Sequence, residues 1–367
     1  MALACTPILL VGLTLGVVAL GRGDEGTVAP ADGPPPAGEP APPVAESART
    51  LLLAHRDADS RADVMLVAGV GRDGGAGSIL LVPVATHVET PSLGLQPLAA
   101  VPALADAELL ATTVQNLLGI DLTEVVVLDD LGLLSVLEAA GTLTAELRRA
   151  VRLDDAPLAL GAGAQEVPYT DAATLLTGTE RGSELDHLVT VQGVLDGWLA
   201  ALRDPEVAAA TVERVPELSV LVAAARAEPR IDTLPVEAVS TGGDERFQVR
   251  RDDLDEILRR GFPDSLLSPD GERARVEILN GTGAVGVTRQ AAACVVPDGG
   301  EVVLTGNVPG FGVDRTEVVY YGDEDAAPAA RLAETLGAGA PRKASRPLGV
   351  IDVTIIVGAD FRPCPSP

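Results

Sequence analysis

Lysine occurs once in these 367 residues, at Lys343, and aromatic side chains make up only 2% of the chain. Bases and sugars stack on rings, and four Phe, three Tyr and one Trp supply few platforms. The formal net charge is -26, a surface that repels phosphodiester backbones. These two features argue against a nucleic-acid partner, and the charge reads as solubility. His55, His87 and His187 are the only histidines, and no two share an element at metal-ligand spacing, which argues against zinc. The chain has no Gly-x-Ser-x-Gly elbow, no phosphate loop ending in Gly-Lys-Ser/Thr and no dinucleotide fingerprint. Gly69 and Gly71 lie between two strands and read as a turn. Cysteine is too scarce for a disulfide framework. Two readings of Cys294 and Cys364 stay open: a pair in an oxidising exterior, or one buried and one free thiol.

Hydrophobic residues make up 47%, so a core is built from Ala, Val and Leu. Residues 1–20 carry no charged side chain and are long enough for one membrane span. We expect an uncleaved anchor there, with the bulk of the chain outside the cytoplasm. Residues 21–46 are a Pro-rich linker that cannot bury a core. Buried strands are expected at 49–54, 63–70, 78–84 and 124–128. Helices are expected at 104–118, 130–140 (capped by Asp130), 185–202 and 252–260. Their alternation predicts an α/β sheet flanked by helices over 47–263. A polar linker, 264–272, leads to a small α/β domain over 273–360 and a tail, 361–367.

That second domain opens on the most distinctive stretch of the chain. The strand Arg275–Asn280 stops on Asn280-Gly281-Thr282-Gly283, and a helix follows over 287–296. Asn and Gly tolerate positive φ, so a strand can end in a tight turn and re-enter as a helix. Further on, 316–321 reads as a strand, 323–336 as a helix and 351–358 as the last strand. The Asn-Gly turn and the Thr316–Tyr321 strand resemble the C-terminal domain of the LytR-CpsA-Psr cell-envelope proteins. The resemblance extends upstream over most of 48–263, and the Arg, Ala, Gly and Pro bias fits a GC-rich, actinobacterial-type genome.

The resemblance implies a membrane-anchored phosphotransferase that moves a glycopolymer from a polyprenyl pyrophosphate to peptidoglycan. Such chemistry uses a carboxylate-held metal and arginines that clamp the pyrophosphate. On the family pattern, Asp57 and Asp63 are the expected Mg²⁺ ligands, a weak site at best, and Arg61 and Asp63 the expected catalytic residues. Arg181 and Gln192 are the expected substrate-binding residues. The family's Pro-Arg-Asp-Thr motif, however, meets Pro83-Val84-Ala85-Thr86 here. Thr177 and Thr179 stand at its paired arginines, and His187 and Thr190 at its helix arginines. His187 itself reads as a polar-face or capping residue. Losing one transition-state donor commonly costs roughly 2.7–4 kcal/mol, so we expect a degenerate site that binds a polyprenyl-linked or envelope partner. Two alternatives remain: an active transferase in which Arg56, Arg61, Arg72 and Arg181 converge, and a non-enzymatic interaction module with no lipid-sized pocket.

Overall fold

The computed structural model describes residues 47–239, 245–268, 272–346 and 349–364. The expected anchor at 1–20 and linker at 21–46 lie outside the described residues. Within the described residues, no helix is long and apolar enough to cross a membrane.

The upstream half is a three-layer α/β sandwich. Strands β1 (Arg49–Arg56) and β2 (Ala62–Val70) form an antiparallel hairpin, and β3 (Gly77–Leu81) runs antiparallel to β2. A hairpin of β4 (His87–Thr90) and β5 (Gly94–Pro97) follows, and β6 (Glu124–Leu128) returns parallel to β1. The strand Arg230–Thr233 completes a five-stranded sheet beside β3. The run Leu51-Leu52-Leu53-Ala54 is apolar throughout because both faces are covered. Leu51 and Leu53 face one cluster, Leu52 and Ala54 the other.

The first cluster is closed by helices α3 (Asp130–Glu138), α4 (Tyr169–Thr177), α5 (Glu184–Ala201), α6 (Pro205–Arg214) and α7 (Ser219–Arg226). The second is closed by the short α1 (Val101–Leu104), by α2 (Ala107–Leu118) and by α8 (Arg251–Gly261). The helix expected at 104–118 is therefore divided. Asp106 accepts a bond from Leu109 N–H and caps α2, which starts a new helix after α1. Similarly, Asp129 rather than Asp130 caps α3, accepting from Gly132 N–H. A hairpin of β7 (Thr142–Leu147) and the strand Gly163–Pro168 packs on α5, a part of the fold the sequence reading did not anticipate. Gly193 and Gly197 allow the approach: a Cβ at either would lie 2.5–2.6 Å from a β7 carbonyl oxygen.

The C-terminal half has a second five-stranded sheet. Ala274–Asn280 runs parallel to Gly300–Asn307 and Val353–Val357, while Glu317–Tyr320 is antiparallel to the latter. Helices α9 (Val287–Val295) and α10 (Ala326–Thr335) bury one face. The α10 start is three residues later than expected because Asp325 accepts from Gly322 N–H in a preceding turn. Cys294 and Cys364 form a disulfide, the first of the two open readings.

The two halves belong to one compact unit. The side-chain amide of Asn116 pairs with both Val302 N–H and Val302 C=O at 2.8 Å, covering the edge strand as another strand would. Arg273 donates to Asn116 C=O at 2.7 Å. Leu267 N–H bonds Gly119 C=O, so part of the expected linker lies against the sandwich.

Candidate functional site

Parallel strands of an α/β sheet gather functional residues beyond their carboxyl ends. Here that rim is formed by the ends of β1, β3 and β6 and the start of antiparallel β2. The hairpin turn Asp57–Arg61 closes it on one side. Asp57 Oδ1 accepts from Asp59 N–H at 2.9 Å and Arg61 N–H at 2.8 Å, which shapes the turn. Asp57, Arg61 and Asp63 thus lie on one hairpin, with the Arg61 side chain exposed.

Asp63 is committed to a residue the sequence reading set aside. His55 Nδ1 bonds Asp63 Oδ1 at 2.7 Å, and the His55 side chain is 4% exposed. Its Nε2 lies 3.2 Å from Asp130 Oδ1 but without hydrogen-bond geometry, so that nitrogen has no bonded partner. Burial opposes the imidazolium, but the bond and charge of Asp63, with Asp130, outweigh it and raise the His55 pKa. Burial also raises Asp63, offset in part by His55.

This donor set does not fit a resident Mg²⁺. One oxygen of Asp57 serves backbone amides and one of Asp63 serves the His55 ring. Among the described residues, no group of three His, Cys, Asp or Glu is arranged to hold a metal. Mg²⁺ wants near-octahedral oxygen coordination.

On the other side of the rim, the chain after β3 meets the start of α5. Val84 N–H donates to Glu184 Oε1, and Ala85 N–H donates to Glu184 Oε2 at 2.9 Å. Glu245 in turn accepts from Ser183 Oγ, and from Glu184 N–H at 2.7 Å. A carboxylate therefore sits on the backbone of the positions where the resemblance places Arg and Asp. Burial pushes the Glu184 pKa up to about 7; the two amides lower it, while the Glu245 charge adds to the rise. No local sequence signal marks Glu184, since its partners are 99 and 100 residues away.

Arg56 and Arg61 bracket the hairpin turn, while Arg72 and Arg181 pair with other carboxylates. Arg181 is 89% exposed and pairs with Asp154 at 3.0 Å. Arg72 follows the far end of β2 and pairs with Asp264 at 3.7 Å, across the sheet's length from Asp63. Gln192 is half-buried on α5. Thr190 is buried with no partner for its hydroxyl, and Thr177 Oγ1 donates to Ala173 C=O. The expectation for His187 is corrected: it is buried, with Nδ1 3.3 Å from Glu180 Oε1 and Nε2 3.2 Å from Leu176 C=O. Glu180 also pairs with Arg149 at 2.6 Å, which anchors α5 to the end of β7.

Under the rim, Leu53, Leu66, Leu133, Val191, Leu195 and Trp198 line an apolar cavity of about 20 Å³. That is room for about one water.

Residues 273–361 match the family described as LytR cell envelope-related transcriptional attenuator. No curated protein matches the chain. Among solved structures, TagV of B. subtilis is similar at 12% identity and a TM-score of 0.51, over 62% of this chain and 98% of TagV. A LytR-Csp2A-Psr enzyme from Actinomyces oris is similar at 18% identity and a TM-score of 0.48, over 61% of this chain and 91% of that one. Residues 273–361 therefore match a LytR C-terminal domain, and about 62% of the chain shares the fold of TagV.

Proposed function

We propose that this chain is a cell-envelope protein on a LytR-CpsA-Psr-like scaffold whose transferase site is degenerate. The observation that carries the reading is Glu184, whose carboxylate occupies the Val84 and Ala85 amides. A pyrophosphate brings about two to three negative charges and is stabilised chiefly by charge-assisted bonds. At this rim it would meet Asp57, Asp63, Asp130, Glu184 and Glu245 against Arg56 and Arg61, with Arg181 paired to Asp154. Carboxylates outnumber the guanidiniums that a pyrophosphate clamp needs. Any Mg²⁺ bound by Asp57 and Asp63 is weak and needs a phosphate ligand to complete its shell.

The site of action is the outer face of the cell membrane, with residues 1–20 as the single span. The Cys294–Cys364 disulfide supports an oxidising, extracytoplasmic setting. The partner is an envelope glycopolymer, a polyprenyl-linked lipid or an envelope protein. The small cavity favours a second reading, in which the chain is a non-enzymatic module that presents surfaces and holds no lipid.

The test is a transfer assay with the full-length protein, a polyprenyl-pyrophosphate-linked glycopolymer, peptidoglycan and Mg²⁺. No transfer is expected, and steady turnover by the unmodified protein would overturn the proposal. Retention of a long-chain polyprenyl phosphate by the same preparation separates the two readings: binding supports the first, and no binding the second.

A further inference from the structure

The hairpin of β4 and β5 runs from the rim to the C-terminal half. At its base, Leu98 N–H donates to Thr86 C=O at 2.9 Å and Ala99 N–H to Val84 C=O at 2.8 Å. Its legs keep register from His87 opposite Pro97 to Thr90 opposite Gly94. The tip turns at Thr90-Pro91-Ser92-Leu93, closed by Leu93 N–H to Thr90 C=O at 2.9 Å. A strand of this length puts the tip roughly 13 Å from the base. Val88 and Leu98 pack into the second cluster, whereas Leu93 and Leu95 near the tip are exposed. Burial therefore fixes the base more firmly than the tip, and a bare two-stranded hairpin is marginal in water.

The tip carries a residue that its own turn does not favour. Ser92 has φ +72° and follows a proline, as at the third position of a type II turn. Gly or Asn is the usual occupant, because a Cβ is strained there. Serine gains partners in the C-terminal half instead. Its Oγ lies 2.7 Å from Thr288 Oγ1, in the first turn of α9. Its N–H donates to Thr305 Oγ1 at 3.3 Å, on the strand Gly300–Asn307. The Thr305 hydroxyl donates in turn to Glu89 Oε1 at 3.0 Å, on β4. Two threonine hydroxyls thus hold both the tip and one leg. This grip is separate from the Asn116 and Arg273 contact, which engages α2.

We infer that the hairpin of β4 and β5 is a strut through which the C-terminal half braces the rim, with Ser92, Thr288 and Thr305 as its grip. Releasing the grip frees the strained tip to relax, and the ladder passes that loosening to the backbone of Val84–Thr86. Those are the positions at which the Pro83-Val84-Ala85-Thr86 segment meets the sandwich rim. The inference does not depend on whether the rim transfers anything.

Hydrogen–deuterium exchange of the full-length protein reads both ends of the strut. The Leu98 and Ala99 amides report its base, and the Val302 amide, bonded to Asn116 Oδ1, reports the separate contact between the halves. Combining Thr288→Val with Thr305→Val keeps the side-chain shape and removes both hydroxyls. Protection at Leu98 and Ala99 is expected to fall at least about fivefold, with protection at Val302 unchanged. Unchanged protection at Leu98 and Ala99 overturns the strut. An equal fall at Val302 overturns it as well, because the whole interface has then opened. Ser92→Ala keeps the test decisive if the double variant fails to fold, since it retains the strained turn and loses only the hydroxyl. A fall of at least about twofold at Leu98 and Ala99 is expected there, and no fall overturns the inference.

Discussion

The Asn280 turn and the acidic rim both finish strands of an α/β sheet, yet they satisfy their polar groups over different distances along the chain. Asn280 Oδ1 accepts from Thr282 N–H, Gly283 N–H and Thr282 Oγ1, and its Nδ2 donates to Ala284 C=O, all within four residues. Gly281 is required there because a Cβ would lie 2.7 Å from both Val313 and the Val357 carbonyl oxygen. The rim works through distant partners: Glu184 reaches Val84, and Glu245 reaches Ser183. A turn that closes on itself announces itself in sequence. A rim assembled by the tertiary fold shows only when the chain is folded.

The comparison breaks most sharply if the local motif is removed. Asn280→Ala leaves Thr282 N–H, Gly283 N–H and Ala284 C=O without their partner. We expect a loss of about 3 kcal/mol, measured by urea denaturation. A change below about 1 kcal/mol would mean that water replaces the side chain and that the turn does not depend on Asn.

A smaller effect is expected at the rim, and it depends on pH. The raised His55 pKa means that its contribution is fully present below the ordinary 6.5 and is lost as pH rises through the folded value. The raised Asp63 pKa has the same sign: folding favours its protonated form, so its contribution is lost as pH rises above the ordinary 3.8. Asp63→Asn removes the group that holds the His55 proton. At pH 6 the variant is expected to be less stable by about 2 kcal/mol, with the difference shrinking by pH 9. A difference that is constant with pH would assign Asp63 a purely steric role.

The legible parts of the chain follow the same division. β1, β2, β6, α5 and the Asn-Gly turn emerge within a residue or two of expectation, because each has an unbroken apolar run or a local cap. The β7 hairpin, α6 and α7 escape notice because alternating Thr, Ala and Glu, or Ala-rich stretches, carry weak periodicity until they pack. Of the candidate site, the Asp57–Asp63 corner is legible because the hairpin is short. His55, Glu184 and Glu245 are not, since their meaning lies in partners on other elements. His187 misleads because its neighbours in sequence, Asp186 and Glu184, are polar, while its contacts are Glu180 and the end of α4.

The smallest expected effect concerns the metal, and it sharpens the contrast between residues that look like ligands and residues that are free to ligate. Asp57 and Asp63 have the family's spacing, but each has one oxygen engaged by the fold. The His55 ring competes with a divalent cation for Asp63. A ligand that binds only the folded state stabilises it by RT ln(1 + [L]/Kd). With a Kd on the order of 10 mM, about 10 mM Mg²⁺ adds only about 0.4 kcal/mol. For a folded unit of this size that moves the melting temperature by about 1 °C or less. Calorimetric melts with and without Mg²⁺ should therefore nearly superimpose. A shift of several degrees that disappears in both Asp57→Ala and Asp63→Ala would show that the carboxylates rearrange to take the ion. A shift that survives both substitutions would place the cation elsewhere on this acidic surface.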